Sequence, residues 1–398
     1  QHPAIEECVE LSASRSESAV EGILALEKTE IIKYREGDPF PLLKYIGQIL
    51  DLETMSRRIL SPQSELVMVI GVSPDRTKLL YTYERGDITR DSYRLVIADS
   101  RGYTLMDFTN RTEKYWWDYY TWLNNESLRT VEIEYTNIIL GMFNPFTNEY
   151  AHLKTDWGDS YYGEFVNWSL DARATDIGVY KGANILYDPT LTRVLYPQIR
   201  GQIVLADVQT GKVISSFQSG IPRWGRIPRW SDDGKNLTIV LSGDPARPHG
   251  SDEFYLLSRD GNLQRITDLS LQYGIVHISE YAWSPDGRQI AFWLNTTADD
   301  PTVEGTQSNL AILDLETKQV TDLCIKGIST YTDLTHENYI TFPHFQPIWS
   351  PDGDQVLFVQ LDPNDTKSYN VIVVDLGTKT AWIVDSNKQP IGWMVKEP

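Results

Sequence analysis

Two stretches of the chain say nearly the same thing: "AWSPDGRQIAFWL" at 282–294 and "IWSPDGDQVLFVQL" at 348–361. A chain does not duplicate an active site lightly, so the repeat marks a structural unit, and a unit of fixed period constrains the fold before anything else. Weaker copies run from 71 ("GVSPDRTKLLYTYE"), 121 ("TWLNNESLRTVEIEY"), 187 ("YDPTLTRVLYPQI") and 229 ("RWSDDGKNLTIVLS"). In each, an apolar or aromatic residue precedes a polar turn and an alternating β-branched run follows. Pro presets φ for the first corner, Asp accepts nearby backbone N–H groups, and Gly takes the left-handed position that lets the second strand pair back. The expected product is a short hairpin with a bulge.

A second echo follows each hairpin. "NLAILDLETKQVTDL" (309–323) matches "NVIVVDLGTKTAWIV" (370–384), "QIVLADVQTGKVISSF" (202–217), "EFYLLSRDGNLQRIT" (253–267), "RLVIADSRGYTLMDF" (94–108) and "IILGMFNPFTNEYAHL" (138–153). Two hairpins per unit make a four-stranded antiparallel sheet, and sheets of this size in series predict an all-β propeller. "GQILDLETMSRRIL" (47–60) shares Leu-Asp-Leu-Glu-Thr with 313–317, so a blade precedes residue 61. "QPIGWMV" (389–395) mirrors "QPIWSP" (346–351) with nothing after it. The C-terminal strand is therefore expected to complete the first blade and close the ring, which removes open sheet edges. A tail over 1–18 and one propeller domain over 19–395 follow. Its seven blades are placed at 19–60 plus 389–395, 66–109, 117–156, 183–218, 227–268, 280–324 and 346–386. Six blades is the fallback if the first copy is an external hairpin.

With Trp283–Gly287, Trp349–Gly353 and the variant Trp230–Gly234 in view, the chain resembles the TolB-like, or PD40/WD40-like, β-propellers. The resemblance covers most of 19–395 and implies a fold and an extracytoplasmic setting. It is nearly silent on function, because such relatives act as exported binding proteins, as propeller domains of prolyl-oligopeptidase-type peptidases and as polysaccharide lyases. The repeated tryptophans and turns read as structural, packing blade on blade.

Function is expected where the repeat breaks down. The turns between strands 1 and 2 and between strands 3 and 4 share one face and are uniformly short. The opposite face gathers long, varied connections, and variable loops on a rigid scaffold are where binding lives. Tyr115, Trp116, Trp117, Arg223, Trp224, Arg226, His277, His336 and His344 fall there. Aromatic faces among Arg and His suit a sugar ring, a peptide or a protein loop. They equally suit packing into the ring's central channel.

Composition narrows the partners. The net charge of −19 repels phosphate backbones, so no nucleic acid is expected. No apolar run reaches the roughly 18 residues of a membrane helix. Cys8 and Cys324 allow one disulfide or two buried thiols and no zinc site. Sequons at Asn110, Asn125, Asn167, Asn236, Asn295 and Asn364 fit an exported, glycosylated protein, and Gln1 fits a mature form.

Catalytic signatures are lacking. "GVSPD" misses the last residue of a nucleophile elbow, "HENYI" lacks the second His of a zinc-protease helix, and no phosphate loop or calcium loop appears. The expectation is a non-catalytic, exported binding or scaffold propeller that needs no cofactor or metal. Its partner would be a protein, peptide or glycan. The alternatives are a lyase-type enzyme using His277, His336 or His344, and a self-assembling surface protein.

Overall fold

The structure, a computed structural model, describes residues 4–12, 20–34, 41–64, 66–84, 93–109, 119–134, 137–154, 156–157, 185–198, 202–218, 227–242, 251–296, 308–329 and 346–396. Seven sheets form in chain order, five of four strands and two of five. The first blade takes its inner strand from the far end of the chain. Gln389–Met394 pairs antiparallel with Ile23–Tyr34, with Ile23 opposite Met394 and Glu27 opposite Gln389. The ring therefore has seven blades and is closed by its C-terminal strand.

The turn chemistry read from the motif is realised blade by blade. Ser73, Ser231, Ser284 and Ser350 each receive a hydrogen bond from the N–H three residues on, at Arg76, Gly234, Gly287 and Gly353. Those four residues hold φ of 61, 65, 68 and 83°. Each serine hydroxyl donates to the aspartate two positions ahead, at 2.5–2.7 Å, in Asp75, Asp233, Asp286 and Asp352. Blade 4 puts a carboxylate where these four blades have a hydroxyl. Asp188 is fully buried, and Arg259 of blade 5 answers its charge at 2.7 Å. The outer turns are equally regular: Asp51, Asn144, Asp207, Asp314 and Asp375 each accept the N–H three residues on, at 2.8–3.1 Å.

The core is divided among the seams. Seven apolar clusters lie one between each pair of neighbouring blades. The motif tryptophans do more than fill them. Trp283 of blade 6 donates its indole N–H to the Arg229 carbonyl in the inner strand of blade 5, at 3.1 Å. Trp349 of blade 7 repeats this onto Ala282 of blade 6, at 3.0 Å. Each ring thus packs apolar surface and ties adjacent inner strands together. Gly327 shows how tight the seam is, since a Cβ there would overlap the buried Trp293 ring.

Residues 1–18 carry no strand signal in the sequence, yet part of this stretch pairs. Ile5–Glu6 runs parallel to the outer strand of blade 6, Val320–Gly327. Glu10–Leu11 runs parallel to the outer strand of blade 7, Thr380–Ser386. Between them Cys8 forms a disulfide with Cys324, across 316 residues of sequence. Of the two states the sequence left open, the cysteines are bonded, and both are exposed rather than buried.

Candidate functional site

The inner strands differ sharply in length. In blades 1, 2 and 6 they are Gln389–Met394, Val67–Val72 and Val276–Trp283. In blades 4, 5 and 7 they shrink to Leu186–Tyr187, Arg229–Trp230 and Ile348–Trp349, all at the short-turn end. Among the described residues, the far halves of the second strands in these three blades have no inner partner. Each short inner strand follows a long connection: 158–184, 219–226 or 330–345. The chain therefore returns from all three at the inner wall, at Ile185, Ile227 and Gln346. The carbonyl of Ile227 is fixed there by the hydroxyl of Tyr281, at 2.8 Å. Burial pushes that phenol well above its usual range.

Arg223, Trp224 and Arg226 belong to the connection 219–226, and His336 and His344 to 330–345. Tyr115, Trp116 and Trp117 lie on 110–118, which leads into blade 3. These eight lie outside the described residues. Trp157, beside the connection 158–184, is described and is structural. It stacks on Tyr196 with centroids 5.7 Å apart and donates to the Tyr187 hydroxyl at 2.9 Å.

His277 is the described member of the predicted set. It sits near the start of the inner strand of blade 6, at the end of the blade opposite the short turns. The Asp252 carboxylate of blade 5 is 1 % exposed, accepts the Ile278 N–H at 3.0 Å and lies 3.6 Å from His277 Nδ1. The imidazole itself is 25 % exposed. Behind it, Asn295 donates to the His277 carbonyl at 3.4 Å, while Ser308 donates to Asn295 at 2.6 Å and meets Ser329 at 2.5 Å. This buried polar chain fixes the strand, and the Asp252 carboxylate lies near the ring. The result is a partly exposed imidazole at the rim beside a buried carboxylate. It also disposes of one sequon, because the Asn295 amide is committed inside the blade and closed to a glycan. Among the described residues no group of three His, Cys, Asp or Glu gathers as a metal site.

Glu253 neighbours this rim and is wholly structural. Its buried carboxylate accepts the N–H groups of Leu269 and Ser270, the hydroxyls of Thr267 and Ser270, and Arg265 Nη2, all at 2.7–2.9 Å. It shapes the turn that carries the chain from blade 5 to blade 6.

At the opposite mouth two residues break the motif. Arg76 stands where other turns have Gly, and Asp232 where they have Pro. Arg76 belongs to blade 2, yet its Nη1 donates to the Trp349 carbonyl of blade 7 at 2.5 Å. Burial lowers the affinity of its guanidinium for a proton, opposed by the charges of Asp232 in blade 5 and Asp352 in blade 7. Burial likewise raises the Asp232 carboxyl, with Arg76 pulling it back. Asp232 is itself exposed, so its link to Arg76 is one of charge across the ring rather than a hydrogen bond. The signal for this pair is present in the sequence as "SPDR" and "SDDG", two departures in different repeats whose charges are opposite.

The indole-to-carbonyl link and the Ser–Asp turn recur wherever the full Trp-Ser-Pro-Asp-Gly motif stands. The repeat resembles that of TolB-like propellers. No family model matches the chain, and no curated protein does. Among solved structures it is similar to TolB from Acinetobacter baumannii at 13 % identity, over 93 % of this chain and 82 % of that one, with a TM-score of 0.44. It is also similar to an oligogalacturonate lyase from Vibrio parahaemolyticus, at 12 % identity over 91 % and 85 %, TM-score 0.47. The Cps50 (Swd1) β-propeller domain of Myceliophteria thermophila matches at 14 % over 89 % and 96 %, TM-score 0.43. At this divergence a TolB-like propeller is an architecture and not an activity. No helix among the described residues is long and apolar enough to cross a membrane.

Proposed function

We propose that the chain is an exported, non-catalytic binding propeller that engages a protein, peptide or glycan through the long connections on one face. The observation that carries this reading is the asymmetry of the channel. One mouth holds Arg76 against Trp349, while the described inner strands of blades 4, 5 and 7 keep to that end and resume at Ile185, Ile227 and Gln346 after long stretches of sequence. Tyr115, Trp116, Trp117, Arg223, Trp224 and Arg226 are the proposed contacts, with His277, His336 and His344 as polar members. The surface disulfide supports an oxidising compartment. The test is titration of neutral and acidic oligosaccharides and proline-containing peptides against the protein, followed by tryptophan fluorescence. Trp224→Ala and Trp116→Ala should weaken the best binder, whereas Arg76→Gly at the opposite mouth should not. Turnover of a bound saccharide contradicts the reading.

A lyase is the second reading, favoured by the nearness of His277 to the Asp252 carboxylate, because an imidazole beside a carboxylate is a pairing that general bases use. It requires that His277→Ala abolish formation of an unsaturated uronate product from polygalacturonate.

A further inference from the structure

The N-terminal segment is bound to the ring as a peptide would be. Its backbone continues the two short ladders: Glu7 N–H to Asp322 O at 2.9 Å, Val9 to Leu323 at 3.0 Å, Glu10 to Lys379 at 3.1 Å and Ser12 to Ala381 at 2.8 Å. Side chains add register. Val9 packs on the apolar seam between blades 6 and 7. Glu7 pairs with Lys379 at 2.8 Å, and Gln272 Nε2 donates to the Ala4 carbonyl at 3.0 Å. Main-chain pairing with pockets for alternate side chains is how extended peptides add to sheets.

The receiving edge is shaped for this. The outer strand of blade 6 bulges between Asp322 and Lys326, and Cys324 adopts φ of 53° inside the bulge. The Asp322 carboxylate accepts the Cys324 N–H at 2.8 Å and the Asn309 amide at 3.1 Å, which holds the irregular backbone. The bulge turns Cys324 out of the sheet to meet Cys8.

Without the sulfur link little holds the segment. Its strands are two residues each, and the ion pair is about two-fifths exposed on both sides, so it contributes little. Ring closure does not involve it, because Gln389–Met394 pairs with Ile23–Tyr34 and not with residues 4–12. Segments with few bonds open locally while the rest stays folded.

We propose that the outer edge of blades 6 and 7 is a redox-gated strand-addition site, filled in cis by residues 4–12 and, once released, by the same segment of a second copy. A dithiol reductant supplies two electrons and two protons, leaving Cys8 and Cys324 as thiols and becoming a disulfide itself. The exposed edge then offers unpaired N–H and C=O groups, a lysine for an acidic side chain and a seam for an apolar one two residues on. The segment that meets these demands in register is the chain's own, and its cysteine can re-form the bond with Cys324 of another copy. This goes beyond the binding face proposed above and stands apart from it.

The first test uses a fluorescent peptide of residues 3–13 with Cys8→Ser, titrated against the full-length protein by anisotropy. Cis docking competes at high effective concentration, and removing its covalent lock should tighten peptide binding by about tenfold. The reduced protein and the Cys8→Ser protein should both show this relative to the oxidised protein, and Lys379→Glu should weaken it. Equal binding in all redox states, or none, overturns the proposal. Circular dichroism confirms that the ring remains folded in each variant. In the second test, full-length Cys8→Ser and Cys324→Ser proteins are mixed and treated with oxidised glutathione. Cross-linked pairs joined through Cys8 and Cys324 should exceed the statistical share of mixed dimers. A statistical mixture overturns exchange between copies.

Discussion

Arg76 Nη1 donates to the Trp349 carbonyl across 273 residues of sequence, and the Arg76 carbonyl in turn accepts the Val395 N–H at 2.9 Å. One residue of blade 2 therefore touches blade 7 and the end of the strand that closes blade 1. It does so from a left-handed conformation that other blades give to glycine. Losing a hydrogen bond from a charged donor costs about 1.5–3 kcal/mol, and glycine at this φ recovers about 1 kcal/mol. Arg76→Gly should thus lose about 1 kcal/mol in guanidinium denaturation, by difference of those two effects. Adding Asp232→Pro, which restores the motif and removes the carboxylate that Arg76 faces, should recover most of it. Strict additivity of the two changes would break the link between them.

Reduction of the disulfide should lower stability without unfolding the ring. The bond closes a loop of 316 residues in the unfolded chain. Chain entropy sets the ceiling for that constraint at about 5–6 kcal/mol, with measured values commonly about 2–4. Cys8→Ser and dithiothreitol should shift the guanidinium midpoint downward alike. A transition unmoved by both would show that the link contributes nothing.

The motif tryptophans are predicted to be structural. Trp349→Phe keeps most of the ring but loses the hydrogen bond to Ala282 and should cost about 1 kcal/mol. Trp349→Ala empties the seam and should cost about 3–5 kcal/mol. Both are read by chemical denaturation. Loss of ligand binding at unchanged stability would instead make Trp349 a contact residue.

Acid should loosen the turns first. Burial pushes the Asp233 carboxyl up, but the Lys235 ammonium, the Lys235 N–H and the Ser231 hydroxyl outweigh it and hold the group down to about 2. Burial likewise opposes, and the N–H groups of Thr317 and Thr378 with their partners overcome, in Asp314 and Asp375, which are also lowered. A carboxyl lowered on folding contributes stability above its unfolded value of about 4, and that contribution is lost as pH falls through the folded value. Stability should therefore be flat from neutral pH to about 5 and decline between about 4 and 2. Thermal melts across that range check it. Asp233→Asn should flatten part of the decline.

The parts of this molecule that were legible in its sequence are those held by short-range hydrogen bonds. The Ser-x-Asp and Asp-x-x-Thr turns carry their partners within three residues, so they read the same wherever they recur. The closing strand was legible through the "QPI" that it shares with blade 7. The N-terminal strap was not, because two-residue strands have no period and parallel pairing at an outer edge leaves no turn signal. Arg76 and Asp232 left a signal as two departures from the motif, but only the fold brings their opposite charges near. At the candidate site the sequence pointed to His277, but not to Asp252, which looks like an ordinary strand residue until blades 5 and 6 are packed.

Hydrogen–deuterium exchange with and without the tightest-binding saccharide or peptide tests the account most directly. Protection should fall on 110–118, 219–226 and 330–345 and around His277, with the turns at Ser73–Lys78 and Ser231–Asn236 unchanged. Protection centred on those turns, or cleavage of the ligand during the experiment, would contradict it.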